Sequence, residues 1–303
     1  IVIVLLISWM LSKGMQSSMR INNIAVAIKI AIIVIFVVVG LFFIKPANYH
    51  PFIPYHMKGV FHGATVVFFA YLGFDAVSSS AAEVKNPKKN MPAGIIGTLV
   101  VATVLYMAVS VVLTGLVKYT KLDVANPVAY ALEMVHQDWI AELLSIGALI
   151  GMFTMMVTMI YSSSRLIYSI GRDGLLPSFL AKLDDKHHVP QQALWVVSII
   201  IALMGGLVSL DQLTSLVNIG TLLAFLFVSF GIIPLRRRKD IGNKGGFRVP
   251  FYPILPIISG LACLGMMAML SKETWIGAGI WFGLGIILYF SYGYWHSKLN
   301  QER

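Results

Sequence analysis

The chain has 303 residues, of which 58% are hydrophobic and only 12% charged, and its mean hydropathy is +0.82. That much apolar surface cannot be wrapped into a soluble particle, so the solvent for this fold is lipid. The formal charge of +10 does not point to nucleic acid, because the basic residues sit in short loops between apolar runs rather than on one polar face. The single cysteine, Cys263, lies in an apolar segment, which excludes a disulfide within the chain and makes it a lipid-facing or packed thiol.

Taken in order, the chain opens with Ile1-Val2-Ile3-Val4-Leu5-Leu6-Ile7, without an initiator methionine or a basic leader. About 11 apolar residues precede Ser12, half of the ~20 that span a bilayer, so this reads as the end of a cut helix and not as a signal peptide. Full-length apolar segments follow over residues 21–44, 60–82, 94–117, 140–170, 193–208, 213–235, 251–270 and 275–295. With the short first helix, the expectation is an all-α polytopic membrane protein of about nine transmembrane helices. Between the third and fourth full segments, ANPVAYALEMVHQDW has the length either of short helices outside the membrane or of an ordinary connecting loop.

Alternate loops place 17 of the 23 Lys and Arg on one side, five on the other (Lys45, Lys58, Lys118, Lys121 and Lys272), and leave Lys29 inside a segment. By the positive-inside rule the rich side is cytoplasmic, which puts the C-terminus inside. Trp139, Trp275 and Trp295 fall at segment ends, where an interfacial aromatic belt belongs. The run Arg236-Arg237-Arg238-Lys239 reads as a topology anchor or a contact for anionic lipid.

Polar groups inside the apolar segments are the functional candidates. Lys29 lies eight residues into its segment, roughly 12 Å deep, where a lysine costs about 2.5–3.5 kcal/mol to insert. Asp75 lies a similar depth from Glu83 at the end of its own segment. Lys29 is either a snorkelling side chain or half of a pair with Asp75, and that pair is either structural or a proton-coupling site. Gly73 sits mid-span beside Asp75 and ahead of Ser78-Ser79-Ser80. It marks either close helix packing or a point where the helix unwinds and frees main-chain groups for a zwitterion.

At these residues the sequence resembles a known family. The stretch FFAYLGFDAVSSSAAEVKNPKKNMP from Phe68 to Pro92 is similar to the sixth helix and following loop of the cationic amino acid transporter-like branch of the amino acid-polyamine-organocation superfamily. Further matches run in order: VAIK ending at Lys29, SRLIYSIGRDGLLP from Ser164 to Pro177, NIGTLLAF from Asn218 to Phe225, and FRVPFYP from Phe247 to Pro253. They cover essentially the whole chain and resemble bacterial proton-coupled permeases most.

The resemblance implies a leucine-transporter-type inverted-repeat fold running from the end of helix four through helix twelve. Residues 1–44 would be the remnant of the first repeat, 60–235 the second repeat with its first helix broken near 70–75, and 251–296 two additional helices. It also implies that main-chain carbonyls of Phe69, Ala70 and Tyr71, next to Gly73, hold the substrate ammonium, that the Phe69 ring gates the site, and that Met159 lines and narrows the side-chain pocket. Lys29 matches the lysine that replaces a bound cation in proton-coupled members, with Asp75 as its candidate partner.

The function this implies is secondary active transport of an amino acid, small and neutral by preference or cationic, across the plasma (inner) membrane. A proton gradient supplies the energy, and no cofactor, metal or nucleic acid is involved. An amino-acid sensor or channel on the same scaffold is the alternative. The sequence has no metalloprotease helix motif, no GxSxG and no P-loop, so nothing assembles an enzyme's nucleophile with its base. His187-His188 stands without further ligand spacing and does not read as a metal site.

Overall fold

The computed structural model describes residues 1–14, 19–74, 84–184, 189–237 and 247–297. These residues are helical throughout and contain no β-strand. The helices are α1 (Val2–Ser12), α2 (Met19–Leu41), α3 (His56–Val67), α4 (Pro87–Leu116), α5 (Pro127–Glu133), α6 (Asp138–Arg172), α7 (Gln191–Leu207), α8 (Leu210–Arg237), α9 (Ile254–Ala268), α10 (Lys272–Leu288) and α11 (Tyr294–His296). A π-turn over Tyr289–Gly293 joins the last two.

Among the described residues, five stretches are long and apolar enough to cross a membrane: Asn23–Leu41, Pro87–Leu116, Asp138–Arg172, Leu210–Arg237 and Lys272–His296. Between 6% and 17% of the most apolar window of each is buried within the protein. Side chains such as Leu149, Phe227 and Ile287 therefore face outward, which is stable only against hydrocarbon. Helices α1, α7 and α9 are equally apolar but shorter. The chain is a polytopic membrane protein.

Contacts divide the chain into two compact units, with boundaries inside α4 and α10. The first comprises Ile1–Asn48, Val111–Leu210 and Ile280–Arg303. Its core joins α1, α6 and α7 through Val4, Ile7, Leu11, Ile160, Leu194 and Ala202. Val4, Ile7 and Leu11 recur at helical spacing, so α1 presents one face to this core. On the same face the buried Ser8 and Ser198 hydroxyls meet at 2.6 Å. Each lies within hydrogen-bond reach of the carbonyl four residues earlier in its own helix, so neither is left unsatisfied in an apolar setting.

The ends of the helices in this unit are built from local chemistry. Asn48 Nδ2 donates to the last carbonyls of α4, those of Gly115 at 2.8 Å and Leu116 at 3.1 Å, which have no partner within the helix. Helix α5 starts as its sequence dictates, with Asn126 accepting from the Ala129 amide and Pro127 at the first helical position. The segment before α6 is thus a short helix and not an open loop. Helix α6 closes on a glycine C-cap in which the Leu175 and Gly174 amides donate to the Ile170 and Gly171 carbonyls. Gly174 has φ +83, and a Cβ there would strike the His296 carbonyl. The RDGLLP motif is therefore a helix stop that only glycine fits.

The second unit comprises Tyr49–Ser110 and Asp211–Gly279. Ile219, Leu222, Cys263, Met267 and Ala278 form its core, with Phe68 and Phe225 packed against it. Cys263 is 5% exposed, a packed thiol rather than a lipid-facing one. At the end of α8 the Arg236 guanidinium lies 4.3 Å from the centre of the Tyr252 ring, while the Tyr252 hydroxyl donates back to the Ile233 carbonyl. The FRVPFYP motif thereby pins the residues after α8 onto it.

Candidate functional site

In the second unit a helix ends inside an apolar run. Helix α3 ends at Val67 and tightens into a single 3-10 turn over Phe68–Tyr71, closed by the Leu72 amide donating to the Phe69 carbonyl at 3.2 Å. Leu72 then leaves the helical region with ψ 140, and Gly73 follows with φ +114. Among the described residues, a Cβ on Gly73 would meet nothing within 4 Å. The glycine is required there by its backbone conformation, not by close packing.

Two neighbouring helices hold this turn. From α4, the Tyr106 hydroxyl donates to the Ala70 carbonyl at 2.7 Å, and its ring meets that of Tyr71 edge-on at 5.1 Å. From α8, the Phe225 ring meets Phe68 edge-on at 6.1 Å and Phe74 at 5.4 Å. The Phe69 side chain stays 41% exposed. Two of the main-chain oxygens of this turn are thus engaged, that of Phe69 by the Leu72 amide and that of Ala70 by the Tyr106 hydroxyl.

Lys29 belongs to the first unit. It is half-buried on α2, and its stem lies across Gly151 of α6. A Cβ built on Gly151 would stand 3.0 Å from Lys29 Cε, 3.5 Å from Cδ and 3.7 Å from Cγ. Three consecutive methylenes therefore run over one glycine, and Ile32 fills the equivalent hollow at Gly147 one turn earlier. This is how a long cationic side chain covers apolar surface while its head group is aimed elsewhere. Met159, 42% exposed, lies eight residues beyond Gly151 on α6, roughly 12 Å of rise.

Asp75 lies outside the described residues, as do Ser78-Ser79-Ser80 and His187-His188. Among the described residues, no group of three or more His, Cys, Asp or Glu could hold a metal ion. Tyr106, Phe225 and Gly151 had no role in the sequence reading. The first had a signal, a hydroxyl in the middle of an apolar segment; the other two are ordinary residues for a membrane helix.

A family model for amino acid permeases matches residues 1–291. The chain belongs to the amino acid permease family. This agrees with the motif resemblance to the amino acid-polyamine-organocation superfamily. Among its relatives, the permease is 48% identical over 300 residues to the methylthioribose transporter of Bacillus subtilis (strain 168), covering 99% of this chain and 65% of that one. It is 42% identical over 301 residues to the branched-chain amino acid permease BcaP of the same organism, covering 99% and 64%. With cationic amino acid transporter 9, chloroplastic, of Arabidopsis thaliana it shares 33% identity over 283 residues, covering 93% and 48%. The chain thus spans about 65% of the length of the two bacterial relatives.

Proposed function

We propose that this permease is a secondary active transporter that carries an amino acid across the plasma membrane in symport with protons. The observation that carries the reading is the turn from Phe68 to Gly73, which sets main-chain carbonyls beside an exposed aromatic ring. In this reading the carbonyls of Phe69, Ala70 and Tyr71 take the substrate ammonium, Gly73 permits the unwinding, and Phe69 closes over the bound molecule. The Tyr106 hydroxyl on the Ala70 carbonyl keeps that oxygen satisfied while the site is empty.

Lys29 is the coupling group in this scheme. Its ammonium stands in for a bound cation, and loss of its proton releases the contact that the cation would make, with Asp75 as the candidate counter-charge. Met159 narrows the side-chain space and favours a small neutral substrate such as alanine. Relatives named for branched-chain and cationic amino acids and for methylthioribose define the competing substrates to be measured. The same reading assigns residues 1–44 to a first inverted repeat, 60–235 to the second and 251–296 to two further helices, with the C-terminus cytoplasmic.

Uptake of radiolabelled alanine, leucine, arginine and methylthioribose into proteoliposomes carrying the full-length protein tests it, with and without an inward proton gradient and sodium. Accumulation of an amino acid driven by protons alone is the expected result. Binding without accumulation under any gradient would replace the carrier with a sensor on the same scaffold.

A further inference from the structure

The NIGTLLAF motif has no role in the scheme above, yet both its first and its last residue touch the end of α3 and the turn that follows. Asn218, 4% exposed on α8, donates its Nδ2 to the main-chain carbonyl of Thr65 at 3.3 Å, two residues before α3 ends. Thr65 is itself 2% exposed, and its hydroxyl bonds back to the Phe61 carbonyl at 3.1 Å, leaving the main-chain oxygen as the group that meets α8. Leu222, fully buried, follows one turn along α8, and Phe225 comes seven residues after Asn218. Positions separated by four and seven residues share one helix face. The Phe225 ring touches Phe68 on the helical side of the turn and Phe74 on the far side of Gly73.

The other half of the Asn218 amide is informative. Its Oδ1 is buried and, among the described residues, has no hydrogen-bond partner. Leucine would fill this apolar position without leaving an orphaned acceptor, so the amide is present for its one donated bond. The opposite amide orientation would set two oxygens against each other, which makes the Thr65 carbonyl the group that fixes the side chain.

We infer that the Asn218–Leu222–Phe225 face of α8 is a splint for the end of α3 and the turn through Gly73, with Asn218 the positioning residue that holds α3 and Phe225 bridging Phe68 and Phe74 across the turn. The consequence for transport rests on the carrier reading above: the splint sets where the Phe69, Ala70 and Tyr71 carbonyls stand when the substrate ammonium arrives. Whether the splint exists is a separate question that requires no transport.

Hydrogen exchange of the full-length protein, followed by mass spectrometry, reads it directly. Asn218→Asp keeps the shape and removes the donor; Asn218→Leu removes both amide groups. Each is expected to speed exchange of the amides over 66–73 by about 10-fold or more, leaving α9 unchanged, because a local tether has been cut. Phe225→Leu is expected to do the same at 72–74, and it carries the test if neither Asn218 variant folds. Exchange over 66–74 that stays at the wild-type rate, or that rises equally in α9, would overturn the splint. In uptake assays the same variants should raise KM more than they lower the maximal rate, and a wild-type protein that transports nothing would refute the carrier reading while leaving the exchange result standing.

Discussion

Gly73 and Gly151 show two uses of the same residue in one membrane protein. Among the described residues, Gly73 has open space around it and a backbone conformation that side chains resist; Gly151 has ordinary helical geometry and no free space at all, because the stem of Lys29 occupies it. The first supplies conformation at the place where a helix ends. The second supplies room and seats a charged side chain against a helix that continues for 35 residues. The lesson is that a glycine in an apolar segment has to be read from what surrounds it.

Substitution separates the two uses. Gly73→Val has the largest expected effect: a β-branched residue at φ +114 costs about 1–3 kcal/mol of backbone strain, and the chain relieves it by moving the carbonyls out of place. Substrate affinity in a scintillation-proximity binding assay should fall by roughly 10-fold or more, since about 1.4 kcal/mol is a factor of ten. Retained affinity would mean that the turn is not the ammonium site.

Tyr106→Phe comes next. It removes one hydrogen bond to the Ala70 carbonyl, worth about 0.5–1.5 kcal/mol, while keeping the ring against Tyr71. Half-saturation for uptake should move by up to about 10-fold with little change in melting temperature. A large drop in melting temperature would make Tyr106 a packing residue instead.

The smallest of the three is Gly151→Ala, because the atom it meets most closely, Lys29 Cε at 3.0 Å, is near the end of a flexible chain and can give way. The melting temperature should hardly change, and uptake at saturating substrate should fall about 2- to 5-fold because the ammonium is displaced. Unchanged uptake would show that the seat at Gly151 does not set the position of the lysine head group.

The long helices were legible because burial in lipid demands uninterrupted apolar runs. The segment read as 21–44 is α2 over Met19–Leu41, and that read as 213–235 is α8 over Leu210–Arg237. The segment read as 60–82, with a break near 70–75, begins earlier, at His56, and its α-helix gives way after Val67 to the turn before Gly73, while residues 75–82 lie outside the described residues. Hydropathy continues through FFAYLGF whatever the backbone does, so only Gly73 marked the place, and its neighbours left both readings open. The bond from Asn218 to Thr65 joins residues 153 positions apart, a separation that no local periodicity can report. Helix α5, by contrast, announces itself in four residues, because Asn126 and Pro127 act on the amides immediately after them.

Lys29, proposed above to couple the proton gradient to uptake, is tested by one paired assay. Wild type and Lys29→Ala, reconstituted at full length, are compared for concentration of labelled alanine against an inward proton gradient and for exchange of labelled with unlabelled alanine when no gradient is present. The account predicts that wild type does both, while Lys29→Ala exchanges but does not concentrate. A Lys29→Ala protein that concentrates alanine to the wild-type level would contradict it.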